Sequence, residues 1–341
     1  MLVVYSPHQR SHRPAQFVVA GQLRAHPDVP ERLDSLLTGI ADGHELIEPA
    51  DHGLRYVGLV HTARYLEFLQ VAHEQWHTIT NAADTIIPNV HPRRTDRTYP
   101  RSIVGRTGFH VYDLSCPINH ETWHAVLWNA HSATEAALQV ASGKRMAAYA
   151  LCRPPGHHAG PDYAGGFCYL NNSAIAAAVL REKFSRVAVL DVDVHHGNGT
   201  QDIFYDRDDV LVISLHGDPR DFYPFYWGHA DETGAGPGKG ANCNIPLPRG
   251  LADEDYLVQL SRAIERIGTW HAQALVVPLG FDTYEHDPLA WLKITTNGFA
   301  RIAAAIAALG LPTVLVQEGG YLCRDLGRNL AAFLHGFAIS R

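Results

Sequence analysis

The feature that most constrains the fold is the alternation of strand-like and helix-like segments after about residue 120. Continuous apolar runs of strand length occur at Ala147–Leu151, Val187–Val194, Val210–Leu215, Ala274–Leu279 and Thr313–Val316. Apolar residues at helical spacing occur at 121–142, 173–183, 253–270, 295–309 and 324–338. Strands that are apolar on both faces are typical of a parallel sheet covered by helices. We therefore predict an α/β fold with one parallel sheet flanked by helices.

One segment, at about residues 79–119, interrupts this pattern. It contains the basic run HPRRTDR and four prolines, and it has no sustained periodicity, so we predict an insertion loop there. No linker or internal repeat divides the rest of the 341 residues. The sequence therefore predicts a single domain spanning residues 1–341.

Composition excludes several classes of protein. A formal net charge of -7 argues against a nucleic-acid binder, which needs a basic face. The five cysteines lie far apart with no CxxC pair, which argues against a disulfide framework and a thiolate zinc site. No stretch approaches the roughly 18 apolar residues of a membrane span, and the N-terminal run lacks the features of a signal peptide. We predict a cytoplasmic protein with no nucleic-acid or membrane partner.

The strongest chemical signal is VAVLDVDVHHGNGT, residues 187–200. Asp191, Asp193 and His195 are spaced two residues apart, so on a strand they would share one face, at its carboxyl end. Two acids and an imidazole are costly to bury together unless they pair or bind a metal. The spacing predicts a metal site, and the alternative is a structural Asp–His pair.

Three further motifs follow other predicted strands: PLGFDTYEHDP with Asp282, RPPGHHAG with His157 and His158, and VQEGGYL with Tyr321. Taken singly, the alternatives are a helix N-cap, a pair of exposed loop histidines and a core tyrosine. All of these positions lie at the carboxyl ends of predicted parallel strands, where such sheets bind ligands. Together they predict one site with an acid–base pair and a phenol that stabilises an oxyanion.

The combination resembles the histone deacetylase-like amidohydrolases of the arginase–deacetylase group, and most of all the acetylpolyamine amidohydrolases. The resemblance covers nearly the whole chain. It rests on HPDVPERL (26–33), VHTARYLEFL (60–69), RPPGHHA, GGFCYLNN (165–172), LDVDVHHGNGTQ, SLHGDP, LGFDTYEHDP and EGGYL. It implies an arginase/deacetylase-like three-layer fold and a metal-dependent enzyme that removes acetyl groups from amines.

The resemblance also implies a role for each motif residue. His157 and His158 would be the acid–base pair, with Asp191 orienting His157 and Asn198 contacting His158. Tyr321 would polarise the substrate carbonyl. The catalytic Zn²⁺ would be bound by Asp193, His195 and Asp282. Because this ligand set is rich in oxygen, Fe²⁺ or Co²⁺ would also be accepted.

Substrate and potassium sites follow by the same resemblance. The tunnel for the alkyl chain of the substrate would be lined by Gly166, Phe167 and Tyr223. A structural K⁺ site would be formed by Ser214 with groups at Asp191 and Leu215.

The insertion favours a small acetylated amine as substrate, such as acetylputrescine or acetylcadaverine. In the acetylpolyamine branch, a comparable insertion narrows the active-site entrance and builds a homodimer interface. Up to residue 119, the only acids that the insertion offers to a cationic amine are Asp84, Asp96 and Asp113. We expect its arginines to face solvent or a partner subunit; they are Arg93, Arg94, Arg97, Arg101 and Arg106.

Two other functions remain as alternatives. A protein acetyl-lysine deacetylase would have the same metal site and a wider mouth. A non-catalytic binding protein would keep the fold without turnover.

Overall fold

An eight-stranded parallel sheet forms the centre of the molecule. The computed structural model of the chain describes residues 1–40, 43–92 and 98–340. Its strands are β1 (Leu2–Val4), β2 (Gln16–Val19), β3 (Gln22–Ala25), β4 (Glu45–Ile47), β5 (Ala147–Ala150), β6 (Val187–Asp191), β7 (Val210–Gly217), β8 (Asn242–Leu247), β9 (Ala274–Leu279) and β10 (Thr313–Gln317). The sheet order is β4-β1-β5-β10-β9-β6-β7-β8, while β2 and β3 form a separate antiparallel hairpin.

Helices cover both faces of this sheet. They are α1 (Glu31–Gly39), α2 (Ala63–Trp76), α3 (Ile103–His110), α4 (Thr122–Ala141), α5 (Asn172–Arg181), α6 (Asn198–Phe204), α7 (Asp253–Thr269), α8 (Thr296–Ala307) and α9 (Leu326–Ile339). No helix among the described residues is long and apolar enough to span a bilayer.

Two hydrophobic cores, one on each face, explain why the strands read as continuous apolar runs. Along β6, Val187 and Val189 pack into the core that contains residues of α2, α4 and α5. Ala188 and Leu190 pack into the other core, with residues of α1, α7, α8 and α9. Successive side chains of a strand point to opposite faces, so a strand such as β6 that is covered on both faces is apolar at successive positions. The predicted α/β fold with a parallel sheet is confirmed.

Two sequence-based predictions about elements are wrong. The predicted strand Val187–Val194 ends at Asp191, three residues early. The insertion at 79–119, predicted to be irregular, contains the helix α3. Its base is closed by an antiparallel bridge in which Ile86 and Ile118 exchange backbone hydrogen bonds of 2.8 and 3.0 Å.

Candidate active site

The DVDVHH segment leaves the sheet at Asp191, the last residue of β6. Asp193 and His195 therefore lie in a loop, and the prediction that they share a strand face with Asp191 is wrong. Each aspartate instead accepts a hydrogen bond from the backbone N–H of the residue two positions later. Asp193 N donates to Asp191 Oδ1 at 3.0 Å, and His195 N donates to Asp193 Oδ1 at 2.9 Å. Such local bonds turn the chain in place of a strand ladder. The turn keeps all three side chains at the carboxyl end of the sheet.

Asp193, His195 and Asp282 form a candidate metal site. Asp282 follows β9, and one ligand atom from each of the three residues lies within 4.8 Å of the other two. His195 Nδ1 is 3.2 Å from Asp193 Oδ1 and 3.2 Å from Asp282 Oδ2. Within residues 1–40, 43–92 and 98–340, no other three His, Cys, Asp or Glu side chains meet this spacing.

The carboxylates of this set suit a divalent cation. Gly319 N donates to Asp193 Oδ2 at 2.8 Å, and Val194 N donates to Asp282 Oδ1 at 3.1 Å. Asp282 Oδ2 is buried and, although His195 Nδ1 lies 3.2 Å away, accepts no hydrogen bond among the described residues, which is costly without a cation. A Cβ at Gly319 would lie 2.1 Å from that same oxygen, so only glycine fits there. Three protein ligands leave coordination positions open, as a catalytic site requires.

The tandem histidines lie beside this site with different partners. His157 Nδ1 donates to Asp191 Oδ2 at 2.9 Å, and His158 Nδ1 donates to the Asn198 side-chain oxygen at 2.7 Å. Burial lowers the pKa of His157, but the carboxylates of Asp191 and Asp193 outweigh it and raise the pKa to about 10. Burial, followed by the charges of His157 and His195, holds the pKa of His158 well below its usual value. The pair therefore offers one charged imidazole and one neutral imidazole.

Glu318, which sequence analysis missed, fixes the histidine loop from behind. Its Oε2 atom accepts from Gly156 N at 2.5 Å and from His157 N at 3.0 Å, and Ser173 Oγ donates to its Oε1 atom at 2.6 Å. Burial raises the pKa of Glu318 to about 7, although the charge of His157 opposes this. Glu318 belongs to the quoted EGGYL motif, but the motif alone does not reveal a contact across 161 residues of sequence.

Tyr321 is 3% exposed and lines a cavity that Asp193, His195 and Asp282 also line. Its backbone N–H donates to Asp287 Oδ2 at 2.7 Å, and the Arg32 guanidinium lies 4.9 Å from the centre of its ring. Arg32 also donates to the backbone oxygens of Gly320 at 2.6 Å and Glu318 at 2.8 Å. Arg32, which lies in the HPDVPERL motif, therefore fixes the segment that carries the phenol.

These side chains meet at a cavity of about 560 Å³. It is lined by His157, His158, Asp193, His195, Asp282, Tyr321 and the predicted tunnel residues Gly166, Phe167 and Tyr223. The Tyr223 ring lies edge-on to His158 at 5.1 Å, and the Phe167 ring lies edge-on to Tyr321 at 5.8 Å. The structure thus brings the predicted tunnel and metal residues to one cavity.

Asp113, which the sequence offered only as an acid for a cationic amine, lines this cavity and binds two of its residues. Its Oδ2 atom accepts from Tyr223 OH at 2.7 Å and from Gly166 N at 2.9 Å, and its Oδ1 atom accepts from Ser115 N at 2.9 Å. Tyr112 OH also hydrogen-bonds to Tyr223 OH. The insertion therefore holds two tunnel residues in place.

The other charged residues of the insertion have different environments. Arg106, expected to face solvent or a partner subunit, is instead 8% exposed and donates to Tyr99 OH and Gln75 Oε1 within its own chain, both at 3.0 Å. Asp84 and Arg101 are exposed. The predictions for Arg93, Arg94, Asp96 and Arg97 lie outside the described residues.

The predicted potassium residues lie on adjacent strands next to the site. Ser214 of β7 is paired with Asp191 of β6 in the sheet register. The Ser214 hydroxyl lies 2.8 Å from His216 Nδ1, and Leu215 is fully buried.

Comparisons with known proteins place this geometry in a family. Residues 26–337 match the model of the histone deacetylase domain. The chain is also 44% identical to the acetylpolyamine amidohydrolase of Burkholderia pseudomallei, with 100% of both chains covered. The chain belongs to the histone deacetylase family.

Other similar proteins support the same family assignment for this deacetylase. It is 39% identical to the acetylpolyamine amidohydrolase of Mycoplana ramosa, over 99% of this chain and 100% of that protein. The crystal structure of the acetylpolyamine aminohydrolase from Burkholderia pseudomallei matches with a TM-score of 0.97 at 44% identity, covering 100% of this chain and 99% of that one. The predicted family resemblance and three-layer fold are confirmed, and the chain is a hydrolase that acts on acetylated amides.

Proposed function

We propose that this deacetylase is a zinc-dependent amidohydrolase that removes acetyl groups from acetylated polyamines and diamines such as acetylputrescine and acetylcadaverine. The observation that carries the proposal is the placement of a three-ligand metal site, two imidazoles and a phenol on one cavity. Full-length similarity to proteins named acetylpolyamine amidohydrolase supports the substrate class.

Asp193, His195 and Asp282 would hold the Zn²⁺. One imidazole and two carboxylates, each able to bind at about 2.0–2.2 Å, are ordinary zinc ligands. When bound, Zn²⁺ supplies a Lewis acid that polarises the amide carbonyl and lowers the pKa of water toward about 7.

The acid–base steps fall to the tandem histidines. Because Asn198 accepts from His158 Nδ1, the other ring nitrogen of a neutral His158 presents a lone pair that takes the proton of the attacking water. His157, charged beside Asp191, stabilises the negative charge that develops, and one imidazole of the pair protonates the leaving amine. The Tyr321 hydroxyl donates to the carbonyl oxygen as it becomes an oxyanion.

The mouth of the cavity favours a slender substrate. Val18 of the hairpin donates its N–H to the backbone oxygen of Leu114 at 3.2 Å, so the hairpin and the insertion are joined beside the cavity that both line. Phe167 and Tyr223 would flank the alkyl chain. The exposed lining residues include Asp221, a carboxylate of the sign that a distal ammonium needs, and also the cation Arg249.

The test is amine release from acetylputrescine, acetylcadaverine and an acetyl-lysine peptide by the zinc-loaded enzyme, measured side by side. We expect a higher kcat/KM for the diamines. A preference for the peptide would support a protein lysine deacetylase, and metal-bound protein with no turnover on any of the three would support a binding protein.

We also propose a K⁺ site at Ser214, Asp191 and Leu215, a homodimer built through the insertion and a cytoplasmic location. The pairing of Ser214 with Asp191 across two strands supports the first by gathering hydroxyl and backbone oxygens. Replacing K⁺ with choline tests this site through the loss of activity. Light scattering tests the dimer, which a monomeric mass would contradict.

A further inference from the structure

A second pair of converging imidazoles lies outside the active site, at the C-terminal end of α2. His73 lies in the last turn of this helix and His77 is its C-cap, so the two residues are four apart and share a helix face. Their Nε2 atoms are 3.0 Å apart, and their ring centres are 4.3 Å apart. His77 is exposed and His73 is half-buried, so the pair is open to solvent.

In the structure the two Nε2 atoms form a hydrogen bond, and their separation also matches that of two ligands of one metal ion, which would replace the shared proton. Two imidazole nitrogens that bind one ion at about 2.0–2.1 Å lie about 2.9 Å apart at a right angle and about 3.3 Å apart in a tetrahedron. Imidazole nitrogens are suitable ligands for Zn²⁺, Ni²⁺ and Cu²⁺. We propose that His73 and His77 form a second metal site, for a divalent ion of this class.

His120 is the third candidate ligand, and it must change rotamer to reach the ion, because the three histidines do not meet the 4.8 Å ligand spacing of the Asp193 set. Its ring centre lies 5.3 Å from that of His73, and its side chain is 78% exposed. A side chain with this exposure can rotate to bring a nitrogen to the ion. It contacts Glu121 through Nδ1 at 2.8 Å, a carboxylate that can orient a ligating imidazole. Burial, then the charges of His77 and His120, lower the pKa of His73, so His73 is in the neutral form that metals bind.

The position of this cluster suggests what the ion does. His77 lies two residues before the insertion at 79–119, and His120 lies immediately after it. The bridge between Ile86 and Ile118 already joins the two ends of the insertion. An ion held by His73, His77 and His120 adds a second connection at the same base. The insertion carries Asp113, which holds Tyr223 and Gly166, so the ion would stiffen the segment that shapes the tunnel.

The test is a calorimetric titration of the zinc-loaded enzyme with Ni²⁺, which measures the number of ions bound per chain and their affinity. We expect one Ni²⁺ per chain at this site and at least tenfold weaker binding in His77→Ala, because one imidazole remains. His335→Ala, which removes an exposed helix histidine elsewhere, is the matched control and should bind as the wild type does. Unchanged deacetylation and melting temperature in His77→Ala would show that the variant is folded.

A competing surface pair provides the decisive comparison. His124 Nε2 lies 3.1 Å from His8 Nδ1, next to Trp128. If His124→Ala removes the Ni²⁺ and His77→Ala does not, the proposed site is wrong. In a second measurement, Ni²⁺ should slow trypsin cleavage after the exposed Arg101 in the wild type and leave His77→Ala unaffected. Equal cleavage of the wild type with and without Ni²⁺ would overturn the stiffening role.

Discussion

The two tandem histidines differ in the side chain that accepts from Nδ1. His157 faces a carboxylate oxygen of Asp191 and His158 faces an amide oxygen of Asn198. A carboxylate stabilises the imidazolium, whereas an amide oxygen does so far less. Asn198 therefore allows burial and the neighbouring charges to keep His158 neutral, where a carboxylate would oppose them.

Asn198→Asp should move the acid limb of the kcat/KM–pH profile to higher pH. The proposed base is neutral His158, and its low pKa, caused first by burial, keeps it neutral into the acid range. A carboxylate partner would raise that pKa, and a charge-assisted hydrogen bond of about 1.5–3 kcal/mol corresponds to about one to two pH units. An acid limb that does not move would exclude His158 as the base.

Tyr321→Phe should retain fold and bound metal and lose turnover. Removing one oxyanion donor typically lowers kcat by about 10²–10³. Metal content by atomic absorption and kcat on acetylputrescine measure the two effects separately. A kcat close to that of the wild type would remove Tyr321 from the mechanism.

The sequence predicted the residues that line the candidate site better than those that support them. Asp193, Asp282 and Tyr321 could be found because each follows a recognisable strand. Arg32 could not be assigned a role, since its contact with Gly320 spans 288 residues of sequence and has no local signature. The same limit applies to Glu318, whose partners come from other elements.

At the level of secondary structure, strand ends were predicted well where an apolar run stops, as at Leu279 of β9. The end of β6 was missed because Val192 and Val194 continue the apolar alternation while Asp191 and Asp193 bind the backbone. In the insertion, α3 was missed because its eight residues include two glycines, which weaken a helical pattern.

Asp113→Ala should raise KM for acetylputrescine more than it lowers kcat. The change leaves Gly166 N without its acceptor and removes one of the two partners of Tyr223 OH, and an unpaired buried group costs about 1–3 kcal/mol, or roughly 5- to 150-fold in kcat/KM. Steady-state kinetics measure the change in KM and the change in kcat separately. Asp84→Ala, which changes an exposed acid of the same insertion, is the control. Equal changes in KM for the two variants would contradict the role of Asp113 in holding Tyr223 and Gly166.

At the scale of the whole molecule, a buried ion network connects the N-terminal segment to the sheet. Asp28 Oδ1 lies 2.5 Å from Arg32 NH1 and 3.1 Å from Arg153 Nε, and all three side chains are fully buried. Burial raises the pKa of Asp28, but the two guanidinium groups outweigh it and lower the pKa to about 2. Removing one partner of such a network leaves buried charge uncompensated.

Asp28→Asn should destabilise the protein by about 3–5 kcal/mol at neutral pH. Because the folded pKa is depressed, the contribution is present above pH of about 4 and is lost as pH falls toward 2. Chemical denaturation at several pH values measures the free energy of unfolding. The difference in this free energy between variant and wild type should shrink over that pH range. Asp34→Asn, which removes an exposed partner of Arg10, should have a much smaller effect; equal losses would contradict a buried network.

The central claim is that amide hydrolysis depends on a metal held by Asp193, His195 and Asp282. The most direct measurement is the kcat for acetylputrescine before chelation, after exhaustive chelation and after stepwise return of Zn²⁺. We predict loss of turnover on chelation and recovery that is complete at one equivalent per chain, with no recovery in Asp282→Ala. Turnover that survives complete metal removal would contradict the account.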